Sequence, residues 1–181
     1  MPPALDQLPS RAADSDDLIH AVVETPKGSR NKLSFEPELG AFKLNGILPE
    51  GHSFPYDFGF IPSTKAEDGD PLDILLLLDA PTFPGCVVPA RLIGAIELEQ
   101  RETDGTVVRN DRLLGVAAEA RLYKEVHTIA NLSDELLHEI EHFFHSYNEA
   151  KGGEIKVLGR VGPEQAQQLL DRAMRAATPA A

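Results

Sequence analysis

A chain of 181 residues carries a prior of about one domain at roughly 150 residues each, and 42% hydrophobic with 25% charged residues is ordinary for a globular fold. Lys and Arg number 17 against 29 Asp and Glu, a net charge of −12 with His neutral, which disfavours nucleic-acid partners held through their phosphates and anionic membrane surfaces. The longest apolar run, residues 74–78, is strand length and far short of the ~18 residues of a membrane span, and the single Cys86 excludes an internal disulfide and a Cys-based zinc site.

In chain order, residues 1–17 hold Pro2, Pro3 and Pro9 with Asp14, Asp16 and Asp17 and little apolar periodicity, the pattern of a flexible N-terminal arm. The start lacks a basic n-region and an apolar h-region, so export is not expected and a cytoplasmic location is. A single domain over residues 18–177 follows. Residues 18–24 are rich in β-branched side chains and read as a strand ended by Pro26 and Gly28. Residues 31–36 and 40–44 alternate polar and apolar, as strands do. Further short strands are expected at 59–61, 74–78, 87–92, 94–98 and 113–117, with Pro49, Gly51, Pro62, Pro81, Pro84-Gly85 and Asp104-Gly105 between them. Many short strands with such punctuation argue for an antiparallel barrel or sandwich. Two helices come late. Ser133 is an N-cap, Asp134 and Glu135 suit the first turn, and Leu136, Ile140, Phe143, Phe144 and Tyr147 form one apolar stripe closed by Gly152-Gly153. The second starts near Pro163, carries Ala166, Leu169, Leu170 and Ala173, and frays at Pro179.

The densest chemistry is Glu67-Asp68-Gly69-Asp70-Pro71-Leu72-Asp73, immediately before the apolar strand. Gly69 lets the backbone turn and Pro71 stiffens it. Mutual repulsion makes such a cluster costly unless cations neutralise it, and hard oxygen donors suit Mg²⁺ or Mn²⁺. A solvated acidic turn is the plainer reading of this loop alone. An EF-hand fails, because counting from Asp68 puts Leu72 at the fifth position and Asp73 at the sixth, where that motif needs a ligand and a glycine. A second charged stretch runs from Glu24 through Lys27, Arg30 and Lys32. Alone it reads as a surface hairpin. Beside an acidic metal loop, its cations could grip an anion held by the metals, as phosphoryl chemistry requires.

Asp68-Gly69-Asp70-Pro71-Leu72-Asp73 resembles the D-G-D-P-x-D signature of the soluble family I inorganic pyrophosphatases. The surroundings match in order and spacing. Glu24-Thr25-Pro26 followed by Lys32 resembles that family's E-x-P…K segment, Gly40-Ala41-Phe42 its G-A-L, and the stretch from Phe54 to Ile61 its Y-P-x-x-Y-G-Y-I. Phe143-Phe144-His145-Ser146-Tyr147 resembles its F-F-x-x-Y helix and Lys156-Val157 its K-V strand, so the likeness spans residues 18–175. It implies an α+β, mainly β fold, an antiparallel OB-like β-barrel with two principal C-terminal helices packed outside. It also implies Mg²⁺-dependent hydrolysis of pyrophosphate to two phosphates, with several ions and Mn²⁺ as a substitute, in a homo-oligomer that is often a hexamer in bacterial members. By the same likeness Asp68 and Asp73 ligate metal, Asp70 ligates metal and orients or deprotonates the attacking water, and Glu24 stands behind the ligands. Lys32 and Tyr147 hold phosphate oxygens, and Arg112 falls where the family has the lysine of D-x-K.

Departures from the pattern are equally specific. Gly46 stands at a phosphate-binding arginine, Phe58 at a tyrosine, and Asn148 at the lysine after the helix tyrosine. The metal aspartate of D-x-K is Asn110, with Asp111 one position on; on a strand the two face opposite ways, so Asp111 replaces it only through a bulge. In the longer loop before it, Glu102 or Asp104 is the alternative carboxylate. Losing two or three polar contacts at ~1.5–3 kcal/mol each costs several decades of rate. A slower pyrophosphatase, or a retuned or non-catalytic phosphate- and metal-binding relative, is therefore the competing expectation. A remote third is a zinc peptidase, because His138-Glu139-Ile140-Glu141-His142 satisfies H-E-x-x-H. Its histidines lie off the apolar stripe, where an exposed polar face is the simpler account.

Overall fold

The computed structural model describes residues 3–13, 15 and 17–178; Met1, Pro2, Asp14, Asp16 and the fraying expected at Pro179 lie outside the described residues. The strand expected first is β1 (Ile19–Thr25), and a short hairpin of β2 (Asn31–Glu36) and β3 (Ala41–Ile47) follows it as a separate two-stranded sheet. β4 (Asp57–Phe60), β5 (Asp73–Leu77), β6 (Val87–Arg101), β7 (Val107–Arg109), β8 (Arg112–Ala117) and β9 (Glu154–Val161) complete the strands. The main sheet runs β1-β4-β5-β8-β6, and β6 pairs back onto β1, which closes a ring of five strands. β7 and β9 extend it from the far half of β6. The ring is the expected barrel with one difference: β5 pairs β8 in parallel, whereas β1–β4, β4–β5, β6–β8 and β1–β6 are antiparallel.

Packing explains which residues carry the barrel. Ile74, Leu75, Leu76 and Leu77 are all buried, so β5 is covered on both faces and reads as an uninterrupted apolar run rather than an alternation. β6 is one strand of 15 residues where the sequence suggests two. Its register slips between Leu92 and Gly94, and Gly94 has φ +155 with a Cβ position only 2.4 Å from Val161 O. A glycine there lets β9 lie against the bend, and any side chain would collide.

α1 (Asp134–Ala150) starts at the Ser133 cap, whose hydroxyl accepts from Leu136 N, and buries Leu137, Ile140, Phe143, Phe144 and Asn148. The buried stripe thus begins at Leu137 rather than Leu136. α2 (Pro163–Ala177) buries Ala166, Leu170 and Ala173, small and medium side chains that let it lie close to β6. Residues 3–13, within the stretch expected as a loose arm, are tied to this body. Ser63 N donates to Asp6 O at 2.8 Å, His20 N to Ser10 O at 3.0 Å, and Arg11 pairs with Asp171 at 3.2 Å.

Candidate active site

The acidic loop leaves β4 and returns into β5, and its far end is fastened by Thr64. That buried hydroxyl donates to Ile61 O at 2.5 Å and accepts from Leu72 N at 2.9 Å. The turn itself is held by Asp68, whose Oδ1 accepts from Asp70 N at 3.1 Å, with Gly69 at φ +94. Asp68, Asp70 and Asp73 consequently face one cavity of about 420 Å³. Glu24, Lys32, Asn110, Arg112 and Tyr147 line the same cavity, so eight of the nine residues expected from the sequence converge there.

The cationic wall is built by strand register and aromatic rings. Ile74 pairs with Leu113 in the parallel β5–β8 ladder, which sets Asp73 beside Arg112 one residue earlier, and the two form an ion pair. Arg112 also donates to Asn110 Oδ1, while Asn110 Nδ2 donates to Gln100 Oε1 at 2.9 Å. The guanidinium lies over Phe144 and Phe58, at 5.3 and 5.8 Å from their ring centres. Lys32 Nζ sits 4.4 Å above Phe58 and 3.8 Å from Glu24 Oε2. Among the described residues, three that line the cavity carry a buried polar atom with no hydrogen-bond partner: Asp6 Oδ1, Arg112 Nε and Tyr147 Oη.

Electrostatics follow from this crowding. Burial pushes the Glu24 carboxyl up to about 7, although Lys32 and the Phe35 N–H, 2.6 Å from Oε1, pull the other way. Asp68 and Asp70 are raised first by burial; for Asp70 the Asp73 charge adds to it and Lys32 opposes it. Burial also raises the Tyr147 hydroxyl, against the pull of Lys32 and Arg112. Among the described residues no three His, Cys, Asp or Glu side chains lie close enough to hold one ion by themselves. The donors still fit a hard divalent cation that keeps several waters and binds through one or two carboxylates plus substrate phosphates. Among the described residues no lysine or arginine forms an ion pair with Asp68 or Asp70, and the neighbouring aspartate charge, which adds to burial in raising both, is one a cation would relieve.

Asp111 is a correction. It does not line the cavity: alternation along the extended chain turns it to the other side, where its Oδ1 accepts from Leu98 N at 3.0 Å and from Arg109 Nη2 at 2.9 Å. Glu102 and Asp104 are also elsewhere, accepting from Gln100 Nε2 at 2.6 Å and Thr106 N at 2.8 Å. Lys43 reaches Glu36 at 4.0 Å and does not line the cavity, so it is no substitute for the side chain that Gly46 lacks. His138, Glu139 and His142 are exposed and apart from the cavity, as is His145, and among the described residues no three His, Cys, Asp or Glu side chains are close enough to hold a metal, so the peptidase reading is not favoured. Ser34, Asn45, Gln100 and Lys151 line the cavity without having been anticipated. Each is one polar residue in a different segment, and only Lys151 had a local signal, a cation at the end of a predicted helix.

Comparisons with known proteins agree with this geometry. Residues 21–178 match the family described as "Pyrophosphatase: Inorganic pyrophosphatase". The inorganic pyrophosphatase of Thermus thermophilus is 42% identical over 146 residues, 79% of this chain and 81% of that one. That of Geobacillus stearothermophilus is 38% identical over 160 residues, 88% of this chain and 93% of that one. A crystal structure of the Thermus thermophilus inorganic pyrophosphatase superposes with a TM-score of 0.88 at 35% identity, covering 97% of this chain and 99% of that chain.

Proposed function

The chain belongs to the soluble family I inorganic pyrophosphatases, and from that premise we propose how its cavity hydrolyses pyrophosphate to two phosphates. It is a hydrolase of the phosphoanhydride bond and depends on divalent metal as its family does; Mg²⁺ is the proposed ion, with Mn²⁺ as a substitute. Asp68, Asp70 and Asp73 would hold the ions, with Asn110 offering a neutral oxygen and Glu24 standing behind them. Bound there, the ions supply a water of lowered pKa and neutralise charge on the phosphates. Asp70 would orient the attacking water and accept its proton, as a positioned carboxylate can. Lys32, Arg112 and the Tyr147 hydroxyl bind phosphate oxygens and offset the charge that develops on the leaving phosphate. Arg112 brings a two-pronged donor where a lysine would bring a point charge.

One observation carries this reading: three carboxylates and three anion-binding donors from four separate segments line one cavity. A non-catalytic phosphate-binding relative is not favoured, since Asp68, Asp70 and Asp73 share the cavity with Lys32 and Arg112 despite the changes at Gly46, Asn110 and Asn148. Phosphate release from pyrophosphate in Mg²⁺ tests it. Wild type is expected to turn over, Asp73→Asn to lose about 100-fold or more because it removes a charged metal ligand and the partner of Arg112, and His142→Ala to change little. A silent wild type would leave only the binding relative. The reading includes a cytoplasmic homo-oligomer, in keeping with Leu39, Leu44 and Ile47, apolar side chains exposed on the β2–β3 hairpin. Sedimentation of the purified chain reads the assembly. No helix of the described residues is long and apolar enough to cross a membrane.

A further inference from the structure

Lys32 and Arg112 already have carboxylate partners in Glu24 and Asp73. Lys151 differs. It is the C-terminal capping residue of α1, four positions after Tyr147 and therefore on the same helix face, and its Nζ lies 4.3 Å above the Tyr147 ring centre. It lines the cavity and is itself exposed, which puts it at the rim. Among the described residues it makes no ion pair of the kind that holds the other two cations. Partial burial of the side chain, and then the nearby Arg112 guanidinium, hold its ammonium below the usual lysine range, while Glu102 and Asp73 pull the other way.

Two donors beside it lack acceptors among the described residues. Tyr147 Oη and Arg112 Nε are buried without partners. Asn148, on the same turn, gives its amide N–H to Phe144 O at 2.9 Å. A cluster of two cations and an idle hydroxyl is stable in a folded chain when an anion completes it. We propose that Lys151 is a substrate-binding residue: its ammonium bonds a phosphate oxygen of pyrophosphate at the cavity rim, beside Tyr147 Oη. This rests on the pyrophosphatase reading above. The plain alternative is a solvated cation at a helix C-terminus, which favours the helix by its charge alone.

The two accounts separate in the full-length protein carrying Lys151→Gln or Lys151→Arg. The glutamine variant is expected to raise KM for pyrophosphate about 10- to 100-fold, the scale of one charge-assisted hydrogen bond. Its kcat is expected to stay within about threefold, because a rim contact grips ground state and transition state alike. The arginine variant is expected to restore KM to within about threefold, since it keeps the charge. A glutamine variant with wild-type KM overturns the proposal, and one that shifts only the melting temperature assigns Lys151 to the helix. Titration with inorganic phosphate by calorimetry keeps the test independent of turnover. Weaker phosphate binding by Lys151→Gln supports the proposal even if wild type proves inactive, which would count against the pyrophosphatase reading alone. Equal phosphate binding overturns it.

Discussion

Arg109 and Arg112 stand three residues apart on opposite sides of one extended stretch, and each is paired with an aspartate. On the outer side Arg109 donates to both oxygens of Asp111, at 2.9 and 3.0 Å, and to Glu97 at 3.0 Å, while Asp111 also accepts from Leu98 N. That group is closed: its acids are answered by the chain itself, and it locks β6 to the approach of β8. On the inner side Arg112 is the more deeply buried, yet its Nε has no partner and the neighbouring Tyr147 hydroxyl has none either. Burial and charge are common to both arginines. What separates a structural ion pair from one held ready for a ligand is whether every donor has been given an acceptor.

Substitutions at the two arginines test this contrast directly. Arg112→Met is expected to give the largest effect, lowering kcat/KM about 100-fold or more, as the loss of one or two hydrogen bonds to a charged oxygen would at ~1.5–3 kcal/mol each. The same change strands Asp73 and lowers thermal stability, so kinetics and melting are measured together; an unaltered kcat/KM would make Arg112 a second Arg109. An intermediate effect is expected at Glu24, the buried acid whose lysine is 3.8 Å away. Its pKa is about 7 in the folded chain, so between the ordinary carboxyl range and pH 7 the folded state keeps a proton that the unfolded chain releases. Stability therefore falls as pH rises across that window, by about 3 kcal/mol at most. Asp68 and Asp70 act in the same direction. Melting temperatures in chelator from pH 5 to 8 should show the decline, and Glu24→Gln should flatten it. The smallest effect is expected at Arg109→Gln. Its side chain is 33% exposed, so about 1 kcal/mol of stability is at stake, with kcat/KM within about twofold. A tenfold loss of activity there would erase the distinction.

Much of this was legible in the sequence because the informative signals are local. Asp68, Asp70 and Asp73 sit within six residues of one another, and the turn residues between them dictate their convergence on the cavity. A β-branched run, an uninterrupted apolar run and the Ser133 cap mark β1, β5 and α1 for the same reason. What escaped is non-local. The parallel pairing of β5 with β8 depends on how the barrel closes, which no run of neighbours encodes. β6 looked like two strands because Gly94 is a breaker by propensity, while its actual role, a bend against β9, needs the partner in view. β7 is three residues long and falls below any periodicity. In the cavity, Gln100, Ser34 and Asn45 are single polar residues on three strands, brought together only by register. Asp111 shows the converse: it stands beside Asn110 in sequence, and one step along an extended chain reverses its direction.

Thr64 fastens the aspartate-bearing loop through a neutral hydroxyl, not through an ion pair. A clasp of that kind is indifferent to ionic strength, to protonation of the neighbouring acids and to the arrival or departure of cations. The end of the loop nearest β5 can thus pass through every charge state of a working cycle with its anchorage unchanged, so any shape change under salt or acid falls on the turn that the Asp68 carboxylate holds.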